Sequence, residues 1–528
     1  MDRFRVLVGD KLAEDGLARL RQAVEVEVRL QQKESELVAA IGDFDALVVR
    51  SETKVTGPVL EAGRRLKVVG RAGVGIDNID VEAATRQGVM VVNAPRGNIV
   101  AAAEHTIGLL FATARNIPQA DASVRRGEWD RSRYTGTEIR GKVLGIVGLG
   151  NIGSEVAKRA QGLEMDVLAF DPAVPKERAE QFNVELVSLD DLFRRADFIT
   201  VHAPLVDGTR NLINERALGL AKRTAHLVNA ARGGIVDETA LHAALKEGRL
   251  AGAAADVFLR EPLGDSPLLE LDNFVVTPHI AASTSEAQTS VAFDVAEEVL
   301  AVLRGELPRY AVNAPALPPE ELAYLRPYTQ LAERLATLHL QLQGGRTARL
   351  EIECQGELAE RDTGLITAAA IKGLLQPFTE GRINAVNARL VAANRGLELS
   401  ERRKPKTGEG YPNAVSLRVD GHELRGTVLM GEPRVVAVGA FRVDLIPEGR
   451  FLVSRHEDQP GVVGRIGTIL GQSDINIASL QLGRDAPRGQ AMMLLQVDEP
   501  VGEPVLEQLR HVSGIDDLRY VELGSLDG

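Results

Sequence analysis

The stretch "GKVLGIVGLGNIGSEVAKRA", residues 141–160, decides how this 528-residue chain is read. "VLGIVG" is an unbroken apolar run of strand length, and "SEVAKRAQGL" carries apolar residues at helical spacing. Between them Gly148, Gly150 and Gly153 form a GxGxxG. A strand feeding a helix through such a turn sets free backbone amides, at the positive end of the helix, where a pyrophosphate can approach. The hexapeptide alone is a weak signal; the strand before it and the helix after it give it weight. The next apolar run, "MDVLAFD", ends in Asp171, 23 positions after Gly148. A carboxylate there accepts hydrogen bonds from ribose hydroxyls and repels a 2′-phosphate, which points to NAD rather than NADP.

Outward from this unit the chain alternates strand and helix signals in both directions. Upstream lie "FRVLVGD", "VEVEVRL", "DALVVR", "LKVVGRAG" and "VMVVNAP", separated by amphipathic stretches, which predicts a second parallel α/β layer. It has no glycine-rich turn after its first strand. Downstream, "KVLGIVG", "MDVLAFD", "ADFITVHAP", "AHLVNAA", "LAGAAADVF" and "NFVVTPH" predict a six-stranded doubly wound sheet. The proline-rich "LPRYAVNAPALPPEE" reads as a boundary. Beyond it a mixed region, from about 320 to 446, contains strands "ARLEIECQG", "AVSLRVDG" and "LRGTVLMG", with "ERRKPKTGEGYPN" as an exposed loop. From Arg450 the order strand, helix, two strands, helix, strand is ferredoxin-like. The expected fold class is therefore α/β: two doubly wound parallel-sheet lobes, then an α+β domain, then a βαββαβ module.

Length favours three or four domains. The net charge of −12 argues against nucleic acid as the main partner, though a few local cations suffice for a small anion. Cys354 is the sole cysteine and the nine histidines show no HxxxH or HExxH spacing, so no metal site is expected. No apolar run reaches membrane-spanning length, and "MDRFRVLVGDKL" enters a strand without a signal-peptide core. A cytoplasmic enzyme with no membrane partner is the expectation.

Three stretches at strand ends, where an open α/β sheet forms its ligand crevice, carry reactive side chains. They are "NAARGGIVDE" with Arg232, "ADVFLREPL" with Asp256 and Glu261, and "VTPHIAAST" with His279. Oxidising an alcohol needs a base for the hydroxyl proton, a cation for a neighbouring carboxylate and an acceptor for the hydride. His279 suits the base, Glu261 can hold the imidazole as an ion pair, and Arg232 offers a planar fork of donors. Each residue alone has an ordinary structural reading; their shared location outweighs it.

With "GLGNIG…D", "ARGG", the Glu of "REPL" and the His of "TPHIAAST", the chain over residues 1 to about 315 resembles the D-isomer-specific 2-hydroxyacid dehydrogenases. The resemblance implies that Arg232, Glu261 and His279 are catalytic. It also implies that NAD is held at Gly148, Gly150, Asn151, Ile152, Gly153, Asp171, Ala230, Ala231, Arg232, Asp256 and His279, with Asp256 near the nicotinamide amide. It further implies a discontinuous substrate lobe, 1–97 and 291–316, around an NAD lobe, 98–290, with hinge crossings near 97 and 290. The remaining units are an intervening domain, 317–447, and residues 450–528, which resemble an ACT regulatory domain.

The first lobe supplies Arg50, Ser51 and Lys54 in "VVRSETKV", and Arg71, Gly73, Val74 and Gly75 in "GRAGVGIDNID". These cations suit a phosphorylated substrate. The long tail strengthens that reading: the resemblance then implies NAD-dependent oxidation of 3-phospho-D-glycerate to 3-phosphohydroxypyruvate at the start of serine synthesis, with side reduction of 2-oxoglutarate. "GEWDRSRYTGTEI", with Trp129, Arg131 and Arg133, resembles a segment that reaches a partner subunit's site, implying a homodimer or homotetramer. Asp458, Gly461 and Asn476 match positions that hold an effector such as L-serine. Val74 and Ala203 stand where some relatives have threonine near the cofactor. Two alternatives stay open: another enzyme of this fold, such as a hydroxypyruvate reductase, and a non-catalytic NADH-sensing protein.

Overall fold

A computed structural model describes residues 3–315, 317–345, 347–405 and 410–526. Its first sheet has five parallel strands in the order Glu25–Val28, Arg5–Val8, Ala46–Val49, Val68–Arg71, Met90–Asn93. Ala46–Val49 is buried along its whole length, as a strand covered on both faces must be. One cover comes from far along the chain. The helix Ser285–Leu303 lies so close that a Cβ at Gly70 would stand 2.6 Å from Val299, and one at Gly16 2.6 Å from the Ala292 carbonyl. Two glycines in the first lobe thus admit a helix that follows the second sheet.

The second sheet is parallel throughout, in the order Phe274–Val276, Gly252–Ala255, His226–Asn229, Phe198–Val201, Val143–Val147, Asp166–Phe170, Glu185–Leu186. It has seven strands where the sequence suggested six. The addition, Glu185–Leu186, is a two-residue edge strand, too short to leave an apolar run. Strand order reverses on either side of Val143–Val147, so the glycine turn that follows it opens at the crevice such a reversal creates.

A six-stranded mixed sheet follows, in the order Glu398–Lys404, Arg349–Gln355, Ala414–Val419, His422–Leu429, Glu432–Val438, Phe441–Leu445. The start of the segment read as a loop is its edge strand, paired in parallel with Arg349–Gln355. Charge misled that reading. Arg402 and Lys404 pair with Glu351 at 3.0 Å and Glu353 at 2.9 Å, so the charges are a cross-strand ladder on an edge. Residues 406–409 of the same segment lie outside the described residues. The helices Pro319–Gln343 and Gly364–Leu375 cover this sheet, and their core runs on into Phe451, Val453 and Leu494 of the last sheet. That last sheet is antiparallel, in the order Ile477–Arg484, Gln490–Val497, Gly449–Glu457, Ile515–Leu523, with helices Val462–Gln472 and Glu503–Arg510. It is the βαββαβ arrangement read from the sequence. Among the described residues no helix is long and apolar enough to cross a membrane, and no group of three or more His, Cys, Asp or Glu is placed to hold a metal.

Candidate active site

The two parallel sheets face each other across a cavity of about 1060 Å³, lined from the first by Arg50, Ser51, Lys54, Arg71, Gly73, Val74 and Gly75. The second contributes Ile152, Ala230, Ala231, Arg232, Glu261 and His279. Thirteen of the residues read from sequence therefore share one space.

His279 Nδ1 is 2.7 Å from Glu261 Oε2, and the other oxygen, Oε1, accepts from the Phe258 amide at 2.9 Å. An ionised carboxylate can only accept, so the imidazole carries its proton on Nδ1 and keeps a lone pair on Nε2. That leaves a base. The backbone of His279 is left-handed, with φ 55°, a conformation that costs a side-chain-bearing residue on the order of 1 kcal/mol. Asp256 holds it there. Fully buried, it accepts from the Ile280 amide at 2.9 Å, the Ala281 amide at 2.8 Å and the Thr277 hydroxyl at 2.5 Å. Burial alone would raise the Asp256 carboxyl; hydrogen bonds from His105, Thr277 and the two amides outweigh it and hold the carboxyl below its usual range. Asp256 thus sits beneath the cavity wall, tied to the loop that carries His279.

Arg232 rests between the lobes. Its Nη1 donates to the Ala231 carbonyl at 2.7 Å, and its Nε lies 3.7 Å from Asp77 of the first lobe. A Cβ at Gly233 would stand 2.0 Å from the Phe258 carbonyl, so this glycine lets the Arg232 turn pack on the turn that fixes Glu261. Arg71 faces the same space, and its Nε is buried without a partner. Burial, then the neighbouring Arg232 and Arg50 cations, push its guanidinium down to about 10, so it stays charged at neutral pH. A half-buried cation with a buried, free donor is the environment an anionic ligand completes. The Arg50 loop is fixed by Asp10, which accepts from the Arg50 amide at 2.5 Å and the Thr53 amide at 3.2 Å.

The glycine turn fits a dinucleotide. Gly148 has φ 97°, and a Cβ there would stand 2.7 Å from the His202 carbonyl. At Gly153 a Cβ would meet the Gly148 carbonyl at 2.1 Å, whereas at Gly150 it would meet nothing, leaving open space before the helix Asn151–Gly162. Asp171 stands at the next strand tip and accepts from the Leu149 amide at 2.8 Å. Asn98, on the cavity wall, has a buried Oδ1 without a partner. The Val74 carbonyl accepts from Asn93 at 2.7 Å, so that residue takes part through its backbone.

Other readings fall elsewhere. Arg131 is exposed and outside the cavity lining, in a segment whose Trp129 is 75% exposed and whose Arg133 pairs with Asp272 at 3.0 Å. In the last domain Asp458 accepts from Arg484 at 3.0 Å, Gly461 opens its helix with φ 91°, and Asn476 donates to Asp498 at 2.6 Å. Asp10, Asn98, His105 and Thr277 were not singled out from sequence; Thr277 lies two positions before His279 in "TPHIAAST", while Asp10, Asn98 and His105 lie far along the chain from that string.

A glycine-turn sheet and a second parallel sheet enclosing an imidazole–carboxylate pair and two guanidinium groups define an NAD-dependent 2-hydroxyacid dehydrogenase. Family comparisons agree: residues 107–281 match the D-isomer specific 2-hydroxyacid dehydrogenase NAD binding domain, 324–439 the D-3-phosphoglycerate dehydrogenase intervening domain, and 450–513 the ACT domain. The chain is 46% identical over 524 residues to D-3-phosphoglycerate dehydrogenase of Methanocaldococcus jannaschii, covering 98% of this chain and 100% of that one. It is 41% identical over 526 residues to the Bacillus subtilis protein of the same name, at 98% and 100% coverage. Among solved structures, Aquifex aeolicus D-lactate dehydrogenase complexed with NAD and lactic acid matches at TM-score 0.54 and 27% identity, covering 59% of this chain and 99% of that one. The chain belongs to the D-3-phosphoglycerate dehydrogenase family.

Proposed function

We propose that this chain oxidises 3-phospho-D-glycerate to 3-phosphohydroxypyruvate, the opening reaction of serine synthesis, with His279 as base. NAD, when bound, would supply the acceptor for the hydride that leaves C2 of the substrate. Glu261 fixes the imidazole at Nδ1 so that Nε2 takes the hydroxyl proton, and the carboxylate stabilises the imidazolium that results. Arg232 holds the substrate carboxylate with its fork of donors. Arg71, with Arg50 and Lys54 on the same wall, receives the phosphate. Asp171 would take the ribose hydroxyls, and the amides at Gly150 to Ile152 would hold the pyrophosphate. Closure of the two lobes about crossings near residues 97 and 290 excludes water before transfer.

The observation that carries this reading is the composition of one cavity: a base held by a carboxylate on one lobe, facing a half-buried cation with an unused donor on the other. The full-length likeness to D-3-phosphoglycerate dehydrogenases supports the choice of acid. The enzyme works in the cytoplasm as a homodimer or homotetramer in which the segment with Trp129 and Arg131 meets a partner subunit. L-Serine binds the ACT domain around Asp458, Gly461 and Asn476. With NADH as hydride donor the enzyme also reduces 2-oxoglutarate to 2-hydroxyglutarate as a side reaction.

Steady-state kinetics with 3-phosphoglycerate and NAD, with and without L-serine, test the proposal. NADH formation that serine lowers is the expected result. Good turnover of an unphosphorylated hydroxy acid with none of 3-phosphoglycerate would replace the substrate. NADH binding with no turnover of any 2-hydroxy acid would make the chain a sensor.

A further inference from the structure

His105 lies on the helix Ile99–Ala114, the segment that leaves the first lobe and packs under the second. Asn98, Ala102 and His105 fall at i, i+4 and i+7, on one face, and the first two line the cavity. From that face His105 Nε2 reaches Thr277 Oγ1 at 3.1 Å, across 172 positions of sequence, and stands 3.4 Å from Asp256 Oδ1. The Thr277 hydroxyl has one proton, and it is engaged by Asp256 at 2.5 Å. His105 must therefore donate, which fixes a proton on its Nε2. Asp256 in turn clamps the amides of Ile280 and Ala281, directly after His279.

We propose that His105 is a positioning residue for the dehydrogenase reaction: through Thr277 and Asp256 it fastens the helix between the lobes to the turn that carries the base. It does not line the cavity. Among the described residues His105 is the one basic group within ion-pair reach of Asp256, a carboxylate with no exposure to water. Removing its proton donor leaves the buried charge on Thr277 and two amides alone, and the carboxyl rises toward its neutral form. A neutral Asp256 holds the left-handed turn at His279 more loosely. Other titratable groups near this helix are engaged elsewhere. Glu104 pairs with Arg159 of the helix Asn151–Gly162, His226 bonds Thr113, and Glu261 holds His279.

The inference rests on the dehydrogenase reading, so the test includes a measurement that does not need turnover. In the full chain, His105→Leu removes the donor and His105→Gln keeps an N–H at nearly the same place. Hydrogen exchange of the peptide spanning residues 277–283 is expected to quicken by roughly tenfold in His105→Leu and to stay near the parent rate in His105→Gln. In the active enzyme the acid limb of kcat/KM is expected to move up by about one pH unit in His105→Leu, with kcat falling more than KM rises, and to return in His105→Gln. Thr277→Val, which removes the bridging hydroxyl, reads the same link if His105→Leu fails to fold. Unchanged exchange in the Leu and Val variants, or equal losses in His105→Leu and His105→Gln with an unmoved acid limb, would overturn it. A parent chain inactive on 3-phosphoglycerate would instead sink the functional reading and leave the exchange result standing.

Discussion

The two parallel lobes begin alike, with a buried strand that turns into a helix, yet the turns do opposite things. In the first lobe Arg5–Val8 runs into Gly9 and Asp10, and the buried Asp10 accepts from the Arg50 amide, the Thr53 amide and the Thr53 hydroxyl, the last at 2.5 Å. Its oxygens are occupied by the lobe itself. In the second lobe Val143–Val147 runs into Gly148 to Gly153, where a Cβ at Gly150 would meet no atom, and the carboxylate at the next strand tip, Asp171, is only half buried. One turn spends its buried carboxylate on three internal hydrogen bonds and so fixes the rim; the other leaves open space at Gly150 and a half-buried carboxylate that accepts from two amides and keeps lone pairs for a ligand. Fold alone does not place a coenzyme. Which polar groups are left unspent does.

The comparison breaks most visibly at the base. His279→Ala is expected to lower turnover by about 10² or more with NAD affinity nearly intact, because the glycine turn is untouched. Single-turnover kinetics beside NADH fluorescence titration check this, and near-normal turnover would remove the imidazole from the chemistry. Next comes Arg71→Met on the rigid rim, which should raise KM for 3-phosphoglycerate by roughly 10–100-fold, the worth of a charge-assisted hydrogen bond. The pH dependence has a definite sign. Arg71 is a cation below its value of about 10 and loses that charge above it, so the gap in kcat/KM between parent and variant should narrow as pH rises through about 10. A gap that stays constant there assigns the phosphate to other cations.

The parallel sheets were legible because their inner strands are buried on both faces and write themselves as apolar runs, whereas the edge strands Glu25–Val28 and Glu185–Leu186 are partly exposed. The mixed domain was less so: Glu398–Lys404 is a charged edge, and its partner strand sits nearly fifty positions away. The site divides along the same line. Glycines, Arg232, Glu261 and His279 stand at strand ends in recognisable local strings. Asp10 and His105 do their work over separations of 43 and 172 residues, on Thr53 and Thr277, and no window of sequence joins such pairs. A buried aspartate that spends its oxygens on amides looks the same in sequence as an exposed one.

Asp10→Ala tests whether the rim needs its internal carboxylate. Two amides and a hydroxyl lose their acceptor, a cost of about 1–3 kcal/mol for each donor that water cannot reach. The loop with Arg50 and Lys54 should loosen, and KM for 3-phosphoglycerate should rise by about tenfold with kcat little changed. An equal fall in kcat would mean that the rim also shapes the transition state.

The smallest effect is expected at the open turn. Asp171 accepts from the Leu149 amide at 2.8 Å and the Ala173 amide at 2.9 Å, so its oxygens help shape the turn while keeping lone pairs for ribose hydroxyls. Asp171→Ala removes both the ribose acceptor and the charge that repels a 2′-phosphate. NAD should bind several-fold more weakly and NADP somewhat better, shifting the kcat/KM preference by about tenfold. The amides at Gly150 and Asn151 remain, so binding should not vanish. An unchanged preference would mean that Asp171 serves its own turn as Asp10 does, and the contrast between the two lobes would fail at the point where it is drawn most sharply.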